Sequence, residues 1–318
     1  MTPPVPVALE GVTGTSASPD PDGSRSKRHD SEERTRLMAN YSLADIKALR
    51  EKTGAGMMDV KKALEEAEGD SDKALELIRV KGLKGVGKRE GRAASDGLVV
   101  AHVGPTADGE GQTGVLVEIN SETDFVAKSP NFVSLADRVL AAAVDSPARD
   151  ADALLATEVD GSSVQTIVDE TAATLGERVV VRRLARLAGE HVEVYLHKVS
   201  KDLPPQVGVL VATDAAGAGV ARDIATHIAA FSPTYLTREE VSADVVANER
   251  HIAEETARNE GKPEAALPKI IEGRLNGFFK ENVLLEQAFA KDNKKTVAQV
   301  LSESGGTLTG FVRYRVGA

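Results

Sequence analysis

The 318-residue chain carries 39 Lys and Arg against 49 Asp and Glu, a formal net charge of −10; this argues against an electrostatic footprint for nucleic acid or anionic lipid and favours a protein or small-molecule partner. It has no cysteine, which excludes disulfides, thiolate metal sites and cysteine nucleophiles and suits a reducing cytosol. No apolar run approaches the ~20 residues of a membrane span and no secretory stretch opens the sequence, so a soluble, cytoplasmic protein of two or three subdomains is expected.

Residues 1–37 hold Pro3, Pro4, Pro6, Pro19 and Pro21 among Ser, Gly and charged residues. Without sustained periodicity they cannot bury enough apolar surface to offset ordering entropy, and a disordered extension is expected. Helical pattern then begins. Ser42 is placed to cap "SLADIKALREKTG", whose Leu43, Ile46 and Leu49 share one face, with Gly54 as a left-handed stop. A second helix runs through "MMDVKKALEEAEG" to Gly69 and a third through "DSDKALELIRVKG" to Gly82. The basic, glycine-rich "KGVGKREGRAASDG" reads as a tether to the next unit.

After Gly97 the period changes to two. "LVVAHV" (98–103) and "GVLVEI" (114–119) read as a β-hairpin. Ser129 and Pro130 mark the N-cap and first turn of a helix through "NFVSLADRVLAAAV", a second helix follows around "SVQTIVDETAATLG", and "RVVVRRLARL" supplies a third strand. The order then recurs: strands at 191–199 and 206–214, a helix in "GVARDIATHIAAF", and a last strand in "TLTGFVRYRVG". Gly114-Val115-Leu116-Val117 and Gly208-Val209-Leu210-Val211 occupy the same step in each copy, so a duplicated α+β core with antiparallel sheets is expected. Between the second helix and the last strand, at about 238–283, lies helical text broken at Gly261, Lys262 and Pro263. Val245, Ile252 and Ala253 are expected to face Ile270, Ile271 and Leu275 in an antiparallel helical hairpin. "KKTVAQVLSESGG" adds a short helix.

Catalytic patterns are weak. Gly82, Gly87 and Lys88 match a phosphate-binding loop up to its last position, where Arg89 stands in place of Ser or Thr, and the segment follows a helix instead of a strand. The histidines (29, 102, 191, 197, 227 and 251) are spread out, and His191, Glu193 and His197 lack zinc-site spacing. No metal, cofactor or covalent chemistry is expected. His227, beside Ile224 and Ile228, is expected in the core. Two turns carry apolar side chains with a claim to exposure. Met57 and Met58 follow Gly-Ala-Gly and must point about 100° apart on a helix, so at least one is a candidate for the surface. Asp124 and Phe125 follow the polar turn after 115–119. Phe125 either staples back onto Phe132 or Leu135 or projects as a contact group.

Taken together, "TGAGMMDVKKALEEAEGD", "GVLVEINSETDFVAKSPNF", "GRLNGFFKENVLLEQAF" and "TVAQVL" resemble the elongation factor Ts family, the guanine-nucleotide exchange factors of elongation factor Tu, over nearly everything from Met38 to Val316. The resemblance implies a ubiquitin-associated-like three-helix bundle with its linker at 38–92, core subdomains at 93–189 and 190–318, and a coiled-coil hairpin inserted in the second. It implies that Thr123, Asp124, Phe125 and Val126 form the exchange motif, in which Asp124 and Phe125 wedge into the GTPase and displace the groups holding its magnesium ion. His197 would support that motif. Met57 and Met58, with Lys61 and Lys62 nearby, would touch the GTPase close to the nucleotide phosphates. Many family members continue past the last strand into a helical module, so a contact made by that module is expected to be absent or replaced here. An acidic interaction scaffold without exchange activity is the alternative; the oligomeric state of the free protein is open.

Overall fold

The computed structural model describes residues 41–53 and 55–318; the extension expected at 1–37 and the helix stop expected at Gly54 lie outside them. Helix α1 (Leu43–Thr53) begins as its sequence dictates. Asp45 N–H donates to the Ser42 hydroxyl at 3.2 Å while Ser42 N–H donates to the Asp45 carboxylate at 2.6 Å, a reciprocal cap that holds the Asp45 carboxyl below its usual range. Helices α2 (Met57–Glu66) and α3 (Ser71–Val86) complete a bundle closed around Ile46, Leu49, Val60, Leu64, Ala74 and Ile78. Asp70 caps α3, accepting the N–H groups of Asp72 and Lys73 at 3.0 and 3.1 Å.

Two expectations for this region are corrected. Gly82 does not end α3, which runs on to Val86. A Cβ at Gly82 would overlap the backbone of Ala173, so the glycine marks a helix crossing instead of a stop. The basic segment is not a free tether either. Lys88 and Arg89 lie in a 3-10 turn, Arg89 donates to Ala172 O at 3.4 Å, and Arg79 pairs with Glu170. Phosphate-loop geometry is absent here, since Gly87 and Lys88 follow a helix directly.

Strands β1 (Asp96–Pro105) and β2 (Gln112–Ser121) form the expected hairpin. Then come α4 (Asp124–Ala127), α5 (Pro130–Asp145), α6 (Ala151–Leu155), a small hairpin of β3 (Glu158–Val159) and β4 (Ser162–Ser163), α7 (Val164–Leu175) and β5 (Val180–Gly189). Ser129 and Ser163 cap α5 and α7, and Gly176 ends α7 at φ +77°. In the second half, β6 (His191–His197), β7 (Val207–Thr213) and α8 (Ala218–Phe231) lead into the insertion. After α9 (Ala243–Asn259) and α10 (Leu267–Asn282), a hairpin of β8 (Ala288–Phe289) and β9 (Asp292–Thr296), helix α11 (Val297–Ser304) and β10 (Leu308–Arg315) close the chain. The fold is α+β.

The two sheets have the same antiparallel plan: β1-β2-β5 in one, β6-β7-β10 in the other, with the second strand central in both. The middle of each central strand, Val115, Leu116 and Val117 in β2 and Val209, Leu210 and Val211 in β7, is apolar because both its faces are covered. On one side Val115, Val117 and Ile119 of β2 meet Phe132, Leu135 and Val139 of α5; on the other, Leu116 joins Val99, Val192, Leu210 and Ala212 between the sheets. Gly114 and Gly208 relate the copies. A Cβ at Gly114 would lie 2.8 Å from Val192 and 2.9 Å from Leu210, and one at Gly208 would meet Val99 and lie 2.8 Å from Leu116. Each glycine admits the other copy's side chains, the reciprocal contact of two like units related by an approximate two-fold.

The inserted hairpin packs Ala253 and Ala257 of α9 against Leu267, Ile271, Leu275 and Phe279 of α10. Val245 and Ile270 are only partly buried against this seam, and Ile252, expected on it, is 48% exposed. Neighbours on a helix diverge by about 100°, so with Ala253 inside, Ile252 points out. Gly261 turns the hairpin at φ +71°. At its base, fully buried His227 receives the Ala290 N–H on Nδ1 at 3.2 Å and donates from Nε2 to Gln287 Oε1 at 2.8 Å, while Gln287 donates to Glu281 O at 2.7 Å. The core placement expected for His227 is found.

Candidate functional site

Strand β2 leaves its sheet at Ser121, and the next six residues form a turn that is held from several sides. Thr123 is extended (φ −131°, ψ 156°) and caps α4, its hydroxyl accepting Val126 N–H at 3.4 Å. Glu177, just past the Gly176 cap of α7, grips it twice: one carboxylate oxygen accepts Thr123 N–H at 3.0 Å and the other its hydroxyl at 2.6 Å. Ser121 Oγ donates to Thr123 O at 3.0 Å, and Glu122 accepts Arg178 N–H at 2.7 Å and pairs with Arg92 at 3.3 Å. Below, Val126 packs on the first core and Ala127 is fully buried.

Against that anchored base, Phe125 is 73% exposed. The staple alternative is not what forms. Phe132 and Leu135 are already buried in the core, and Phe125 sits on the opposite side of the turn with Lys128 Nζ 4.5 Å from its ring centroid. Lys128 also pairs with Asp124 at 3.2 Å. The acid and the ring occupy the first turn of a short helix, not a strand end, and share one cation. At that exposure the phenyl group leaves most of its apolar surface in water.

Met57 and Met58 are 49% and 63% exposed. They open α2 one turn before Val60, Ala63, Leu64 and Ala67 take up the buried stripe, after Gly56, which offers no side-chain cap. Lys61 is exposed and pairs with Glu65 at 3.8 Å. His197 ends β6, exposed, with Nδ1 3.1 Å from Tyr195 Oη and the two rings 6.0 Å apart. No hydrogen bond or ring contact joins His197 or the methionine pair to the 123–126 turn among the described residues. Phe125, the methionine pair and His197 are each exposed.

A family model described as Elongation factor TS matches residues 122–318, which includes the 123–126 turn and the second sheet but begins after β1 and β2. The chain is also 70% identical over 281 residues to Elongation factor Ts of Beutenbergia cavernae, an alignment covering 88% of this chain and 100% of that protein. The chain belongs to the elongation factor Ts family. Other Elongation factor Ts relatives include that of Renibacterium salmoninarum, 63% identical over 284 residues, and that of Kineococcus radiotolerans, 56% identical over 281, each covered completely by 88% of this chain. As an elongation factor Ts, the protein is a translation elongation factor. No helix among the described residues is long and apolar enough to cross a membrane.

Sequence reasoning missed Glu177, Glu122 and Lys128, the groups that hold and flank the turn. Glu177 lies 54 residues from Thr123, and nothing local distinguishes it from other surface acids. Lys128, four residues after Asp124, was within reach of an i,i+4 reading.

Proposed function

We propose that this elongation factor Ts is a guanine-nucleotide exchange factor that binds elongation factor Tu and speeds GDP release by displacing its magnesium ion, in the cytoplasm, without itself making or breaking a covalent bond. The observation that carries the proposal is Phe125, held out at 73% exposure on a turn whose base is fixed. A GTPase holds GDP through backbone amides, a lysine and Mg²⁺ bridging the phosphates; removing the ion leaves phosphate charge unneutralised. To act, a factor must bind the nucleotide-free GTPase better than the loaded one, and the coupling is reciprocal: whatever it does to GDP affinity, GDP does to its own. Loosening GDP by ~10⁴-fold requires about 5.5 kcal/mol of differential binding. Burying the Phe125 ring in the partner supplies roughly 2–3 kcal/mol of the gross interaction, and Asp124 brings a carboxylate that competes for hydrogen bonds in the GTPase helices.

In this proposal Thr123 and Val126 fix the turn, Asp124 and Phe125 enter the partner, and His197 supports them once the partner is engaged. Met57, Met58 and Lys61 form a second contact. The methionines suit that role because an unbranched thioether adapts to an apolar surface. The test is capture of elongation factor Tu by the immobilised protein with and without GDP. Exchange activity predicts that excess GDP dissolves the complex. A complex indifferent to GDP would leave the scaffold reading in its place.

A further inference from the structure

Strand β10 lies at the edge of its sheet, paired with β7 on one side only. Val316 N–H donates to Gln206 O at 2.9 Å. In the register of this pair, Gly310, Val312 and Tyr314 therefore turn their backbone groups toward β7, while Phe311, Arg313 and Arg315 turn theirs outward. Arg315 O is taken up by Arg183 and by the Ala318 N–H. The N–H and C=O groups of Phe311 and Arg313 have no hydrogen-bond partner among the described residues. They border a cavity of about 460 Å³ whose opposite wall includes Ser232, Pro233, Thr234 and Leu236. That wall is pinned to the base of the helical hairpin: Thr234 and Tyr235 N–H donate to Asn282 O at 2.9 and 3.1 Å, and Leu284 N–H donates to Tyr235 O at 2.8 Å. The free edge thus offers main-chain donors and acceptors to an added strand.

Charge narrows the choice of strand. The side chains of Phe311 and Arg313 share the face that lines the cavity. Arg313 is half-buried there, and its one hydrogen bond among the described residues is to Ala229 O at 3.4 Å. Burial, with the positive charges of Arg315 and Arg183, holds its guanidinium below the usual pKa. Arg183 is already engaged by the buried Glu118, whereas Arg315 is exposed. Glu240, the one acid on the cavity wall, accepts the Leu236 N–H at 2.7 Å and is not among the charges acting on Arg313. An arginine that merely discourages edge pairing stands in water. This one is partly withdrawn from water without a counter-charge, a cost that a carboxylate beside it relieves. A second copy of the chain does not supply that group, because two β10 edges together set Arg313 and Arg315 of both copies against one another. We infer that the outer edge of β10 is a docking site for an extended acidic segment of another protein, added to the sheet as a fourth strand through the main-chain groups of Phe311 and Arg313. An acidic side chain of that segment lies beside Arg313, and an apolar one on the same face lies beside Phe311 and Leu236. The site shares no residue with the 123–126 turn, the methionine pair or His197.

The probe is a short peptide, acetyl-Thr-Ile-Thr-Glu-Thr-Ile-Thr-amide, which sets an apolar residue on either side of the acid and so suits both strand directions. The same peptide with Lys in place of Glu is the comparison. Each is titrated into the full chain and followed by amide NMR and hydrogen exchange. With the Glu peptide, the expected result is saturable shifts at the Phe311 and Arg313 N–H groups and exchange of those amides slowed by about tenfold or more; the Lys peptide binds at least about tenfold more weakly. Arg313→Gln reduces the preference for Glu over Lys to about threefold or less, and Arg315→Gln, at an exposed side chain, narrows it with the fold unchanged. Equal binding of the two peptides, or no saturable shift in β10, overturns the inference. So does protection of the Phe311 and Arg313 amides that appears with rising protein concentration alone, which assigns the edge to a second copy.

Discussion

The carboxylate of Glu177 holds both the backbone N–H and the hydroxyl of Thr123, at 3.0 and 2.6 Å. One acid at the end of a helix thereby sets the direction in which a turn on another element leaves its sheet. Removing it strands two partly buried donors, at a cost of about 1–3 kcal/mol. Glu177→Ala is expected to lower the hydrogen-exchange protection of the Thr123 amide by about tenfold or more, while amides in β2 keep theirs. Site-resolved exchange measures both at once.

Gly114 and Gly208 predict a symmetric packing defect. Because each faces side chains of the opposite sheet at less than normal carbon contact, Gly208→Ala forces Val99 and Leu116 apart, and Gly114→Ala does the same to Val192 and Leu210. Overpacking of this kind costs about 1–3 kcal/mol. Thermal melts of the two variants should show losses of similar size, and either variant matching the parent would contradict the reciprocal contact.

His227 predicts a pH window. Burial pushes its imidazole below the ordinary value near 6.5, partly opposed by the Gln287 hydrogen bond. The unfolded chain therefore takes up this proton first as pH falls, and stability contributed by the neutral ring is present above about 6.5 and declines below it until the folded imidazole also titrates. Urea unfolding at intervals from about pH 7.5 downward should show this loss. His227→Gln should be less stable throughout but flatter across that window.

Gly82 predicts how the bundle sits on the first core. A methyl group there collides with the backbone at Ala173, which cannot retreat as a flexible side chain could. Gly82→Ala is expected to lift α3 from α7, weaken the Arg79–Glu170 pair and speed proteolysis at 87–95, with little change in the sheets.

Much of this architecture is legible in the residues, for stated reasons. Ser42 and Ser129 announce helix starts because a cap is a local hydrogen bond, and the apolar runs in β2 and β7 are long because both faces of a central strand are covered. What was not legible depends on distant neighbours. Gly82 looks like a stop until Ala173 is placed against it, Ile252 looks like seam until Ala253 is seen to occupy it, and Glu177 is anonymous until a left-handed glycine swings it under Thr123. The exposure of Phe125 was one of two open readings, decided only when Phe132 and Leu135 proved to be filled seats.

The central claim is that an exposed ring on an anchored turn opens a partner's ion site, and the most direct measurement is fluorescent-GDP release from elongation factor Tu with Phe125→Ala in place of the parent chain. The account predicts an unchanged melting temperature, since the ring is exposed, and release slowed by at least about tenfold. Release at the parent rate would contradict it.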